Sequence, residues 1–150
     1  MDDFTKLTIS IFHPADQAEV KNLVLAGLVD HWGWLDPSKN PDLDDIATQY
    51  ASGVFLVARQ AGRIVGAGAL IPRQGGVAEV VRMSVAKDVR RLGIGKSILS
   101  ELVNHARQAG IKRLILETTS AWQEVVEFYL HYGFRITHYQ DGDTYFTLDL

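Results

Sequence analysis

The 150-residue chain contains no cysteine. That excludes disulfide frameworks, cysteine-based metal sites and thiol nucleophiles. Its five histidines, His13, His31, His105, His131 and His138, show no metal-ligand spacing, so no metal is expected. A surplus of basic charge is lacking too. The net charge is -3 with histidine neutral, which argues against a nucleic-acid partner held on a broad basic surface. No apolar run approaches the ~20 residues of a membrane span. The start, Met1 to Lys6, has no basic stretch leading into an apolar one and so does not resemble a secretory signal. These absences predict a soluble, cytoplasmic chain without a membrane partner. What remains is ordinary globular composition, 47% hydrophobic and 22% charged, at a length that predicts one domain over residues 1–150.

The apolar pattern divides the chain into eleven elements. Leu7–Phe12 alternates apolar and polar residues as a first strand does. A helix starts near His13–Asp16 and carries Val20, Leu23, Val24 and Leu28 at helical spacing, ending near Gly27–Trp32. Residues 33–41 are rich in turn formers, and Asp42–Tyr50 suggests a short second helix. Val54–Ala58 and Ile64–Ile71 flank a Gln-Ala-Gly-Arg turn as a hairpin, and Ala78–Val85 is the next strand. Ile94, Ile98, Leu102 and Ala106 recur every four residues on an amphipathic helix closed by Gly110. Leu114–Leu116 reads as a short buried strand and Ala121–Tyr132 as a helix followed by Gly133. Two last strands surround Asp141-Gly142, a strong hairpin turn. The result is a mixed α/β (α+β) domain of about seven strands and about four helices, neither a repeat array nor a regular βαβ alternation.

The most informative stretch runs from Glu79 to Ser97. A strand enters a basic loop, then Gly93-Ile-Gly95, then a helix. Such a helix start is an anion site, because its first N–H groups are unpaired and the helix dipole is positive there. Glycine lets a phosphate approach the backbone, and Arg90, Arg91 and Lys96 add charge. A Walker A loop would end in Gly95-Lys96-Ser97 but needs a glycine where Arg90 stands. A dinucleotide fingerprint accepts Gly93 and Gly95 but needs a third glycine where Ile98 stands, and a tighter strand-to-helix turn.

Arg90-Arg-Leu-Gly-Ile-Gly95 resembles, without a gap, the pyrophosphate loop of the GCN5-related N-acetyltransferase (GNAT) family. Downstream, Phe128-Tyr-Leu-His-Tyr-Gly-Phe134 resembles that family's aromatic-Tyr-x-x-x-Gly-Phe segment. The order of elements is similar along nearly the whole chain. The resemblance implies the GNAT fold, with a mixed sheet splayed between its two central parallel strands, here 79–85 and 113–118. It implies acetyl-CoA as co-substrate in that splay. The pantetheine arm would pair with Met83, Ser84 and Val85, and the pyrophosphate would meet Arg90, Arg91, Leu92, Gly93, Ile94, Gly95 and Lys96. Direct transfer in a ternary complex is implied, since no cysteine is present to carry the acetyl group. Tyr129 stands at the family's tyrosine position, which implies a general acid to the departing thiolate; as a structural residue it would be a packed aromatic whose hydroxyl finds a partner. Glu79, six residues before Val85, takes the position of an acid that serves as base to the amine. Simple alternation puts Glu79 on one face with Val81, Met83 and Val85; as a structural residue it would be solvated or paired with Arg82. A bulge, frequent in this strand of the family, would undo that face count.

One departure stands out. Many family members carry asparagine seven residues before the tyrosine, where this chain has Trp122. Thr118 and Thr119 are the remaining polar candidates for the cofactor arm on that side. The resemblance implies an acceptor side formed by the first two helices and their loop, where Trp32 and Trp34 lie among His31, Asp36, Asp42, Asp44 and Asp45: either a set able to hold a cationic amine by cation–π and charge contacts, or one core tryptophan with acids that cap or solvate the second helix. The loop Arg73-Gln-Gly-Gly76 is expected at the rim of the cleft. The expected acceptor is an amine of a small molecule or of a peptide or protein. Many members of the family are homodimers. Two readings compete with an enzyme: a catalytically silent acyl-CoA-binding module of the same fold, and a nucleotide-binding protein built on Gly95-Lys96-Ser97.

Overall fold

The computed structural model describes residues 6–150. The start of the chain, where no secretory signal is expected, lies largely outside them. The elements are β1 (Thr8–Ile11), α1 (Gln17–Trp32), α2 (Ile46–Gln49), β2 (Val54–Gln60), β3 (Arg63–Pro72), β4 (Val77–Val85), α3 (Ile94–Gln108), β5 (Arg113–Thr119), α4 (Gln123–Tyr132), β6 (Arg135–Gln140) and β7 (Asp143–Asp149). Short 3-10 turns precede α1 and α2. The strands form one sheet in the order β1-β2-β3-β4-β5-β7-β6. Every neighbouring pair is antiparallel except β4 and β5.

Local chemistry explains the sharpest features. Ala61 and Gly62 at the β2–β3 turn have φ 55 and 73, and Asp141 and Gly142 at the β6–β7 turn have φ 53 and 82. Positive φ at both central positions is the turn whose twist matches paired strands. α1 ends at Gly33, whose left-handed backbone (φ 76) lets its N–H reach Val29 O. The expected helix over 42–50 is broken instead. A 3-10 turn covers Pro41–Asp44, and Asp45 then caps α2 by accepting from Thr48 N. β5 extends past the three apolar residues that suggested it. Leu114 and Leu116 are buried, while Arg113, Ile115 and Glu117 look the other way, a half-buried strand rather than a fully buried one.

Two cores flank the sheet. On one face, Ile98, Leu99, Leu102 and Ala106 of α3 pack on Leu56, Val65, Val80, Leu114 and Leu116, joined by Tyr129 of α4 and Phe134. On the other, Val20 and Val24 of α1 and Ile46 of α2 pack on Phe55, Val57, Ile64 and Ala67. Burying each such Leu, Ile or Val contributes about 1.5–3 kcal/mol. The site is positioned by what happens between these layers. β4 and β5 pair only at Val77 with Arg113, Ala78 with Leu114 and Glu79 with Ile115. Beyond Glu79 the two strands part, although β4 continues to Val85 and β5 to Thr119. The expected splay is present between the expected strands.

Candidate functional site

Glu79 stands at the last paired position of β4, where the strands begin to diverge. Its side chain is 19% exposed. Arg73, from the β3–β4 loop, donates to its Oε1 from Nε at 3.1 Å and Nη2 at 2.6 Å. Arg82, the partner considered from the sequence, is engaged elsewhere. Its guanidinium forks onto Asp42, with Nε to Oδ2 at 2.9 Å and Nη2 to Oδ1 at 2.6 Å, and it also reaches Asn40 Oδ1 at 3.0 Å. Tyr50 donates its hydroxyl to Asp42 Oδ2 at 2.6 Å. Burial alone would raise the Asp42 carboxyl, but the bonds from Arg82 and Tyr50 outweigh it and hold it below the usual range. The Tyr50 hydroxyl is pushed up to about 12, first by burial and then by Asp42.

Arg82 also marks the fault in the simple face count. It has φ 56, a left-handed conformation that costs a residue with a side chain about 1–3 kcal/mol. The β3–β4 register slips here, from Ala69 opposite Val81 to Ala67 opposite Ser84. This bulge separates residues that alternation had grouped. Val81 packs with the α1–α2 core, whereas Met83 and Val85 pack with the α3 core. A Cβ added at Gly68 would sit 2.4 Å from Met83 Sδ and 2.9 Å from Ile98. Glu79 and Val81 therefore share a face with α2, and Met83 and Val85 do not.

A cavity of about 460 Å³ opens on that α2 side, lined by Asp42, Tyr50, Ile71, Glu79, Arg82 and Glu117 among others. A second, of about 320 Å³, shares Glu79 and Glu117 and continues over Ile115, Tyr145 and His138. The sequence expectation missed Tyr50, Arg82 and Glu117 as cavity residues. Glu117 was discoverable as the outward position of a half-buried β5. Arg82 and Tyr50 were not, because the contact joining them through Asp42 spans forty residues of chain. Trp32 and Trp34 do not line this cavity. Trp32 instead meets Trp122 edge-on at 5.2 Å, and His31 stacks on Trp122 at 4.3 Å, joining the end of α1 to the start of α4.

At the other end of the splay lies the basic loop. Gly93 caps α3 with φ 85, a conformation open to glycine at no steric cost. The first helical bond runs from Ser97 N to Gly93 O at 3.0 Å, so the N–H groups of Ile94, Gly95 and Lys96 precede the helical ladder and point out of it. Arg90 holds Val85 O through Nε at 3.1 Å and pairs with Asp30, which also binds Lys87 at 3.0 Å. Hydrogen bonds from Arg90 and Lys87 hold the Asp30 carboxyl at about 2. Arg91, itself left-handed at φ 67, pairs with Glu124 of α4. Leu92 and Lys96 are exposed and Ile94 is buried.

The two sequence motifs meet here. A Cβ at Gly95 would lie 3.5 Å from the Phe128 ring and 3.6 Å from Val85. Next to Phe128, Tyr129 is 5% exposed. Its ring lies 5.0, 5.6 and 5.7 Å from those of Phe128, Phe134 and Phe146. Its hydroxyl has no hydrogen-bond partner among the described residues, and burial raises its pKa. It therefore stays protonated at neutral pH and is able to donate. Thr118 and Thr119 lie on the parted stretch of β5, opposite Thr144 and Asp143 of β7. Among the described residues there is no group of His, Asp or Glu able to hold a metal ion, and no helix long and apolar enough to cross a membrane.

A family model described as the acetyltransferase (GNAT) family matches residues 22–134. An IAA acetyltransferase of Azospirillum brasilense is 35% identical over 130 residues, covering 85% of this chain and 84% of its own. A GNAT-family acetyltransferase of Staphylococcus aureus superposes with a TM-score of 0.89 at 22% identity, over 97% of this chain and 99% of that one. The PaiA N-acetyltransferase of Thermoplasma acidophilum, solved with coenzyme A, superposes with a TM-score of 0.85 at 16% identity, over 97% and 99%.

Proposed function

Since the chain belongs to the acetyltransferase (GNAT) family and is an acetyl-CoA-dependent N-acetyltransferase, we propose how its residues divide the reaction. The observation that carries the reading is the parting of β4 from β5 immediately after Glu79, with the basic loop at one end and the cavity at the other. The cofactor takes the parted strands. Its phosphates lie on Arg90, Arg91, the outward N–H groups after Gly93, and Lys96. Its arm follows the backbone of Met83, Ser84 and Val85 and passes Thr118. The acceptor, a primary amine of a small molecule or peptide, enters the cavity beside Glu79.

The chemistry follows from the residues available. An ammonium group must lose a proton before its nitrogen attacks the acetyl carbonyl, and Glu79 takes that proton, directly or through water. Attack gives a tetrahedral oxyanion, for which backbone N–H groups beyond the bulge are the available donors. Collapse breaks the carbon–sulfur bond and Tyr129 supplies the proton to the departing thiolate, while the nitrogen gives up its second proton, which with solvent restores the Tyr129 hydroxyl; one proton is released overall. The acetyl group passes directly from sulfur to nitrogen, as a chain without cysteine requires of thiol chemistry.

Release of free CoA thiol across an amine panel tests this. Initial-rate plots against both substrates should intersect. Glu79→Gln should lower kcat by about 10²-fold or more and leave acetyl-CoA binding within about twofold. Parallel plots, or an unchanged kcat in Glu79→Gln, would overturn the assignment.

A further inference from the structure

The cavity beside Glu79 holds three carboxylates, Asp42, Glu79 and Glu117. Two are already answered by arginines. Arg73 holds Glu79, and Arg82 holds both oxygens of Asp42. Three negative groups against two positive ones leave one net negative charge, enough for a single ammonium group. Arg82 is the decisive member. It lies on the bulge of β4, and the Arg82–Asp42 pair is sheltered, with side chains 20% and 24% exposed. The segment bearing Asp42 is anchored to α1 without it. Lys21 pairs with Asp44, Gln17 bonds Leu43 O and Ile46 N, and Leu43 and Ile46 are buried in the α1–α2 core. Arg82 is therefore not needed to fold that segment. Its fork fixes where the Asp42 carboxylate and Tyr50 hydroxyl stand, and it cancels the Asp42 charge.

On the reading that this cavity receives the acceptor, we infer that Arg82 is a specificity-determining and positioning residue that occupies Asp42 and so tunes the enzyme to singly charged amines over diamines. Without Arg82, Asp42 presents an unpaired carboxylate to the cavity, a ready site for a second ammonium group. Without the Asp42 carboxylate, Arg82 presents an unpaired cation, a site for an acceptor that carries its own carboxylate. The two substitutions therefore shift selectivity in opposite electrostatic directions, which general loosening of the fold would not do.

The test compares kcat/KM for butylamine, 1,4-diaminobutane and 4-aminobutyrate in wild type, Arg82→Gln, Asp42→Asn and the double variant. Arg82→Gln should raise the diamine-to-monoamine ratio about tenfold. Asp42→Asn should raise the aminobutyrate-to-butylamine ratio by a similar factor, and the double variant should return both ratios toward wild type. The KM for acetyl-CoA should stay within about twofold throughout. Calorimetric titration of 1,4-diaminobutane into CoA-saturated Arg82→Gln gives a readout that needs no turnover, and binding should be tighter than to wild type. Active enzymes with unchanged ratios would overturn this inference and leave the assignment of Glu79 and Tyr129 standing. Absence of transfer to every amine by wild type would remove both. Should Arg82→Gln fail to fold, the aminobutyrate shift in Asp42→Asn decides alone.

Discussion

Arginine–carboxylate pairs stand at both ends of the splay, and Arg91–Glu124 at the loop differs from Arg82–Asp42 at the cavity in almost everything but chemistry. At the loop, Arg91 and Glu124 are 81% and 77% exposed. At the cavity, Arg82 and Asp42 are 20% and 24% exposed, and two guanidinium nitrogens of Arg82 bond the two carboxylate oxygens. An exposed pair contributes about 0–1 kcal/mol and is readily exchanged for another anion. A sheltered fork is costly to open, because either partner left alone keeps an unanswered charge in a poor solvent. The lesson is functional. On the proposed reading, where phosphates arrive and leave at each turnover, Arg91 is held loosely by Glu124 of α4, beside an Arg90 whose pair with Asp30 of α1 is more sheltered, at 31% and 24% exposed. Where the same reading puts the acceptor, the arginine is fastened.

The largest expected effect belongs to Tyr129, the proposed acid, whose ring packs beside Phe128 at the loop end of the splay. Tyr129→Phe takes one oxygen from a ring otherwise held by Phe128, Phe134 and Phe146. The loss in kcat should be about 10²- to 10³-fold, with acetyl-CoA binding by calorimetry within about twofold of wild type. A larger change in binding would place the hydroxyl in cofactor recognition instead.

The sheltered pair should appear in stability against pH. The Asp42 pKa is lowered from its ordinary 3.8 in the folded protein. Its contribution is fully present above that ordinary value and fades as pH falls through the folded one. Asp42→Asn should cost about 1.5–3 kcal/mol at neutral pH by urea denaturation, and the gap to wild type should narrow below pH 3.8. A gap that stays constant into acid would mean that the Asp42 charge adds nothing to the stability of the folded protein.

Two glycines sharpen the loop end. Gly93 is left-handed, so Gly93→Ala should raise the acetyl-CoA Kd about tenfold, in line with the 1–2 kcal/mol that conformation costs an alanine. Gly95 has an ordinary helical backbone, and its added Cβ would meet Phe128 at 3.5 Å, normal contact, so Gly95→Ala should cost less than about 1 kcal/mol in stability.

The smallest effect belongs to the exposed pair. Glu124→Gln frees Arg91, and acetyl-CoA should bind about two- to threefold tighter at low salt, converging with wild type at high salt. Weaker binding would mean that Glu124 orients Arg91 for the phosphates.

The same contrast explains how much was legible in the sequence. The loop is a contiguous stretch, Arg90 to Lys96, and its chemistry is carried by backbone N–H groups and a glycine-dependent φ, so residue order alone exposes it. The hairpin turns at Gly62 and Gly142 and the stripe of α3 were legible for the same local reason. The cavity was not. Its key bond joins Arg82 to Asp42 across forty residues, and the bulge at Arg82 leaves no mark in an apolar alternation that runs through it unchanged. Arg73 was placed at the rim from its loop, but its bond to Glu79 depends on how that loop folds back. Trp32 drew notice as an amine holder because aromatic and acidic residues are neighbours in sequence there, yet its ring meets Trp122 of the distant α4 start.

Arginine side-chain Nε–Hε resonances, followed by NMR as acetyl-CoA is added, test the contrast most directly. The signals of Arg90 and Arg91 should shift as phosphates replace Asp30 and Glu124, while that of Arg82 stays where it is. A displaced Arg82 signal beside unmoved Arg90 and Arg91 would contradict the account.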